Sequence, residues 1–294
     1  MVLDELAIIV VRGFGLGSIF ALVAMSMNIT YNASHIINFA QGNMFVLGGF
    51  LAFLIADILV GIPMWIIMIP VAGVVLAAIM TLQGWVTLLP LRHSVEQHSW
   101  LITTMAVSIM IGALMLIFQG PWVSTVNSPL PPFMVFGVRT PAPYAAISVL
   151  MFVWFFGLRW FLSKTLTGLA ISALSQDLEA ARAAGLKVKR LQLLSFTISG
   201  LVVGSAGFIA APIISIASDT GIRYVLNGFI AAVVGGFGNN LGALIGGPLV
   251  GIVAMVATYE IGGQYQTFVS LLLLVGVLLL RPEGIFGRTA ARRV

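Results

Sequence analysis

Long apolar stretches alternate with short polar ones along the whole chain. Runs near 20 residues, the length of a bilayer-crossing helix, fall at 6–31, 36–59, 63–87, 99–119, 144–162, 191–216, 224–238, 240–259 and 266–280. The last of them contains TFVSLLLLVGVLLL, which carries no charge. The pattern predicts an all-α, polytopic integral membrane protein with about eight to nine transmembrane helices. Glycines interrupt several runs, so some of these helices are expected to be broken or half-length. One polar cluster, HIINFAQGN at 35–43, sets His35, Asn38, Gln41 and Asn43 between apolar stretches. Two segments break the rhythm. GPWVSTVNSPLPPFMVFGVRTPAP, about 120–143, is rich in proline and short β-type runs and predicts an extracytoplasmic loop or hairpin. The longest polar segment, about 163–190, is expected on the other side. Neither is large enough for a separate domain, so residues 1–294 read as a single transmembrane domain.

Composition agrees with the pattern. With 60% hydrophobic residues, 8% charged residues and a mean hydropathy of +1.11, the chain has too many apolar side chains for one soluble core. The charges orient it. Placing the N-terminus outside puts 89–98, 159–190 and 281–294 in the cytoplasm, together with Arg92, Arg159, Lys164, Arg182, Lys187, Lys189, Arg190, Arg281, Arg288, Arg292 and Arg293. Only Arg12, Arg139 and Arg223 remain elsewhere. This skew of eleven to three among 14 Lys and Arg follows the positive-inside rule. It requires an odd number of crossings; were 224–238 a pair of half-helices, the side of the N-terminus would be open again. The beginning, MVLDELAIIVV, is acidic where a cleavable signal would be basic and reads as an uncleaved first span.

The missing motifs narrow the chemistry. No GxxxxGK[ST] is present to cradle ATP phosphates. Cysteine is absent, so this sequence offers neither disulfide nor thiolate chemistry. His93 and His98 lie five apart, a poor fit to one helix face, and His35 is distant, so no metal site is expected. No nucleophile is spaced with a base and GxSxG is missing, which predicts a noncatalytic chain without a cofactor of its own. A stand-alone secondary transporter or channel generally places ionisable groups inside its spans. Here Asp57, Asp219 and Glu260 all fall at predicted span ends.

A path without buried charge suits a small apolar or zwitterionic solute that takes hydrogen bonds from amide side chains. Asn38, Gln41, Asn43, Asn227, Asn239 and Asn240 are the translocation-path candidates, the alternative at each being an interhelical hydrogen bond. Asn38 precedes GGF at 48–50 and Asn227 precedes GGF at 235–237, which predicts two broken-helix regions. Whether the two GGF stretches form an internal repeat or coincide by chance is open at this level. Gly242 with Gly246, and Gly247 with Gly251, stand at helical spacing and predict close helix packing.

The cytoplasmic segment contains SQDLEAARAAGLKVKR. Glu179, Ala180 and Ala181, then three residues and Gly185, describe a short helix with small side chains and a glycine to end it in the left-handed conformation. A solvated amphipathic connector would read the same way. The spacing resembles the EAA loop through which permeases of ATP-binding-cassette importers dock on their ATPases. The closing RPEGIFGR, and GLGSIFALVAMSMNITYN followed by HIINFAQGNMFVLGGFLAF, resemble the LivH-type permeases of branched-chain amino-acid importers. Residues 60–160 match in hydropathy only. The chain departs from that pattern at Met25, Ser26, Met27 and Asn28, and with NASH after Tyr31.

The resemblance implies an importer permease fold in a bacterial inner membrane, with Glu179, Ala180, Ala181 and Gly185 coupling to an ATPase. It implies a second permease of the LivM type, two ATPases of the LivG and LivF type that hold ATP and Mg, and a solute-binding protein. Leucine, isoleucine or valine fit the implied solute, and urea-like amides or aromatic acids fit equally.

Overall fold

The computed structural model describes residues 3–56, 61–88, 99–135 and 137–287. His93, His98, Arg92, Asp57, Arg288, Arg292 and Arg293 lie outside the described residues. The chain runs through α1 (Leu3–Ser34), α2 (Gln41–Leu54), α3 (Ile62–Leu88), α4 (Ser99–Gln119), β1 (Phe133–Val135), β2 (Val138–Thr140), α5 (Ala142–Lys164), α6 (Leu166–Leu174), α7 (Leu178–Ala183), α8 (Val188–Ala210), α9 (Thr220–Gly235), α10 (Asn240–Glu260) and α11 (Gln266–Leu280). Among the described residues, seven helices are long and apolar enough to cross a membrane, and α2 and α9 are shorter apolar helices. Their 14 and 16 residues reach only about 21 and 24 Å at 1.5 Å per residue. Outward faces are hydrocarbon: Ile109 and Phe118 on α4 and Leu279 and Leu280 on α11 are each more than 70% exposed. A bilayer, in which every backbone group must bond within the protein, is the solvent that suits such faces.

The Pro-rich stretch forms the expected hairpin, with Phe133 opposite Thr140 and Met134 opposite Arg139. The segment 224–238 holds one continuous helix, α9, and not a pair of half-helices. Among the described residues, nine apolar helices therefore run alternately between two ends. At one end Asn32 donates to the Gly238 carbonyl (3.0 Å), and the Gly238 amide donates to Asn28 Oδ1 (2.9 Å). The closing RPEGIFG docks at the same end. The Ile285 and Phe286 amides donate to the Val234 and Gly235 carbonyls (2.9 and 3.0 Å), which the end of α9 leaves without helical partners. Gly284 lies so close to Gly236 that an added Cβ would stand 2.8 Å from its Cα. The opposite end holds Arg12, Arg139 and Tyr259, with the Gln119 amide donating to the Ile216 carbonyl (2.7 Å).

The helices repeat with inverted direction. Each half presents a long helix (α1, α8), a non-helical stretch (35–40, 214–219), a short helix (α2, α9), and a long helix with proline at its ninth position (Pro70 in α3, Pro248 in α10). The packing repeats too: α1 lies on α10 as α8 lies on α3, α2 lies on α8 as α9 lies on α1, and α5 stands between the halves against α1 and α8. The sequence follows, since GNMFVLGGF at 42–50 matches GIRYVLNGF at 221–229 in Gly, Val, Leu, Gly and Phe. Equivalent residues meet at the centre, Gly42 against Gly221 and Phe45 against Tyr224, whose rings are 4.9 Å apart. A two-fold axis in the membrane plane passes there, the arrangement of inverted-repeat transporters. The pairing of the two GGF stretches is corrected by this register. The first lies inside α2, where Gly48 packs on Gly204 of α8. At the second, α9 ends at Gly235 and Gly236 takes φ +105°.

Candidate functional site

Local chemistry explains why the short helix α2 begins at membrane depth. His35, at φ +56°, turns the chain back after α1, and residues 36–40 run inward without helical bonding. Such backbone is tolerated at this depth because protein covers it. Asn38 is the anchor. Its Oδ1 accepts from the Ala40 amide (3.0 Å), and its side chain forms a reciprocal amide pair with Gln83 of α3 (3.1 and 2.7 Å). Gln41 donates to Ser26 of α1 (2.6 Å) and to Ser199 of α8, while its Oε1 has no partner among the described residues. Asn43 donates to the carbonyl and hydroxyl of Ser108 on α4, the latter at 3.0 Å, and its Oδ1 faces Gly221 of α9. All three side chains are buried. They hold the start of α2 against α1, α3, α4, α8 and α9.

The other candidates lie apart from this junction. Asn227 is buried within α9 and donates to the Arg223 carbonyl (2.9 Å), its Oδ1 unpartnered among the described residues. Asn239 caps α10 by accepting from the Leu241 amide (3.0 Å), and it donates to the Phe286 carbonyl (3.1 Å). Asn240 follows on the first turn of α10, half-buried. The structure thus brings together Asn38, Gln41 and Asn43, and separately Asn239 and Asn240. Gln83, Ser26, Ser108 and Ser199 complete the junction; Ser26 stood out in the sequence only as a departure from the family pattern, and the other three were not singled out. A lone glutamine in the apolar run 63–87 is the signal that Gln83 gave.

The second candidate region is at the end rich in Lys and Arg, where α7 is built as expected. Asp177 Oδ1 accepts from the Glu179 and Ala180 amides (both 2.9 Å) and caps the helix. Gly185, at φ +82°, ends the turn after it. Glu179, Ala180 and Gly185 are exposed, whereas Ala181 is buried in a small core of its own with Ala33, Ile171, Leu174, Val188 and Leu191. Ala33 belongs to the last turn of α1, and the exposed helix is seated on α6 and α8, of which α6 in turn lies on α1. The preceding α6, capped by Thr165 through the Gly168 amide (3.0 Å), was not distinguished in the sequence from its polar surroundings. Two features thus define a class: a multi-pass helical membrane protein with paired half-helices at its centre, and a small-residue helix presented at its cationic end.

Comparison with known proteins places the chain within that class. The model of the family described as "Branched-chain amino acid transport system / permease component" matches residues 9–278, and the chain belongs to this family. It is 28% identical to the high-affinity branched-chain amino acid transport system permease protein LivH of Escherichia coli K12, over 96% of each chain. It is 28% identical to the corresponding BraD of Pseudomonas aeruginosa, over 97% of this chain and 96% of that one. A probable LivH of Methanocaldococcus jannaschii is 27% identical over 92% of this chain and 89% of its own. No solved structure matches the chain significantly.

Proposed function

We propose that the chain is a permease subunit of an ATP-driven importer that carries branched-chain amino acids across a bacterial inner membrane. The observation that carries this reading is the family match together with α7, a capped and exposed helix of small residues seated on α6 and α8 at the cationic end. Small side chains let a partner approach the helix backbone closely, and the seating transmits its displacement to α8 and, through α6, to α1. Glu179, Ala180, Ala181 and Gly185 form the contact with an ATPase. The ATP and Mg are held by two partners of the LivG and LivF type, a second permease of the LivM type closes the path, and a solute-binding protein delivers the solute. The chain itself catalyses nothing.

In this reading the path runs beside the α2–α9 junction. Asn38, Gln41 and Asn43 act by fixing the inner end of α2, and Asn239 by fixing the start of α10 to the closing segment, while Asn227 and Asn240 keep buried amide oxygens without partners among the described residues. Rocking of one inverted half against the other about the Gly42–Gly221 contact opens the two sides in turn. The test is leucine uptake in cells producing all five subunits, with the chain wild type or Glu179→Lys. Uptake should fall at least tenfold in the variant while the chain still reaches the membrane. Unchanged uptake and unchanged ATPase co-purification would remove α7 from the coupling role.

A further inference from the structure

We propose that the cytoplasmic end of the chain holds an anionic phospholipid, its phosphate among the cations beside α7 and an acyl chain in the apolar groove between α2, α3 and α4. Two features carry this, both built on the α3–α4 pair. The first is a pocket of about 890 Å³ bounded by Leu88 at the end of α3 and Trp100 at the start of α4. Arg182, Lys187, Lys189 and Arg190 line it with His35, and none of its described lining residues is acidic. Cations at this depth on the cytoplasmic side attract anionic headgroups, and a tryptophan beside them sits where aromatic residues anchor to the bilayer interface.

The second feature is a groove of about 560 Å³ that runs from Val86, near the same end of α3, past Met110 and Leu114 to Phe118. Its one polar lining residue is Gln83, whose amide is taken up by Asn38. A zwitterionic solute would find no partner for its ammonium or carboxylate there and would lose its hydration uncompensated. A flexible hydrocarbon chain does not meet that objection, and its headgroup then lies among the cations. Because Leu178 and Arg182 of α7 line the same pocket, the bound lipid touches the docking helix.

The test uses the purified full chain in bilayer discs of phosphatidylcholine with or without phosphatidylglycerol, and counts retained lipid by native mass spectrometry. Phosphatidylglycerol should be retained in preference. Lys189→Gln and Arg190→Gln should each weaken retention about fivefold, the effect of one cation near an anionic surface, and Lys189→Arg should preserve it. Met110→Trp, which fills the groove, should weaken retention while the cations stay in place. Equal retention of both lipids, or neutral variants that bind as the wild type does, would overturn the proposal. Complete displacement by inorganic phosphate with no effect of Met110→Trp would assign the cations to a free anion and overturn the lipid. Loss of retained phosphatidylglycerol on adding the ATPase subunits would assign the cations to that partner, with the same consequence.

Discussion

Replacing Asn38 by leucine tests whether the amide junction holds α2 in place. The substitution removes two hydrogen bonds to Gln83 and the turn bond to the Ala40 amide just ahead of α2. Interhelical hydrogen bonds within a bilayer contribute about 0.6 kcal/mol each, and a buried side-chain to backbone bond about 1 kcal/mol. Gln83, only 4% exposed, would then be stranded, and an orphaned buried amide costs about 1–3 kcal/mol. Asn38→Leu should therefore destabilise the chain by about 3–5 kcal/mol in total. Gln83→Leu leaves the Ala40 turn bond intact and should cost less. The double variant, with no orphaned side-chain amide, should recover about 1–3 kcal/mol relative to the sum of the single changes. Reversible unfolding of the four proteins in mixed micelles reads these differences as a double-mutant cycle. A single variant as stable as the wild type, or strictly additive effects, would show that the pair does not fix α2.

Other consequences follow from the same geometry. Gly251 of α10 packs on the backbone of Gly17 and Gly13 in α1, so Gly251→Val should lower the folded yield measured by size-exclusion chromatography, overpacking costing about 1–3 kcal/mol. Gly157 of α5 has nothing within 4 Å of an added Cβ, and Gly157→Ala should raise unfolding resistance by about 0.5–1 kcal/mol. Asp177→Ala removes the cap of α7 and should weaken ATPase co-purification while leaving membrane insertion unchanged. Gly185→Val, a branched side chain at φ +82°, should do the same, and Gly185→Asn should retain docking because asparagine tolerates that conformation. Since the chain has no cysteine, single cysteines at Arg139 and Lys164 should react with impermeant maleimide from opposite sides of the membrane.

Much of this architecture is legible in the pattern of apolar runs, because the bilayer imposes both length and composition on a helix. The hairpin was legible from its prolines, and α7 from its glycine and small residues. The short helices were harder. The apolar run 36–59 continues through the non-helical residues 36–40, since a re-entrant backbone covered by protein needs apolar side chains as much as a helix does. The inverted repeat escaped the pairing of GGF with GGF because the shared feature is the face of the helix. Gly49 and Gly228 each let a first helix of the opposite half approach, Gly49 facing α8 and Gly228 facing α1. That equivalence is spatial, and Gly48, which stands where Asn227 does in the second half, disguises it in the sequence. The amide candidates were found by type, and Ser26 stood out as a departure from the family pattern, but the partners Ser108 and Ser199 were hidden among ordinary helix serines. Only packing distinguishes a serine that bonds its own turn from one that meets a glutamine.

Transport by the assembled complex tests the central claim most directly. The chain would be reconstituted into vesicles with its second permease and two ATPases, the binding protein supplied outside, and radiolabelled leucine uptake followed. The account predicts accumulation that requires internal ATP and all subunits, and that is lost with Gly185→Val. Leucine uptake by vesicles holding this chain alone, unaffected by ATP, would contradict it.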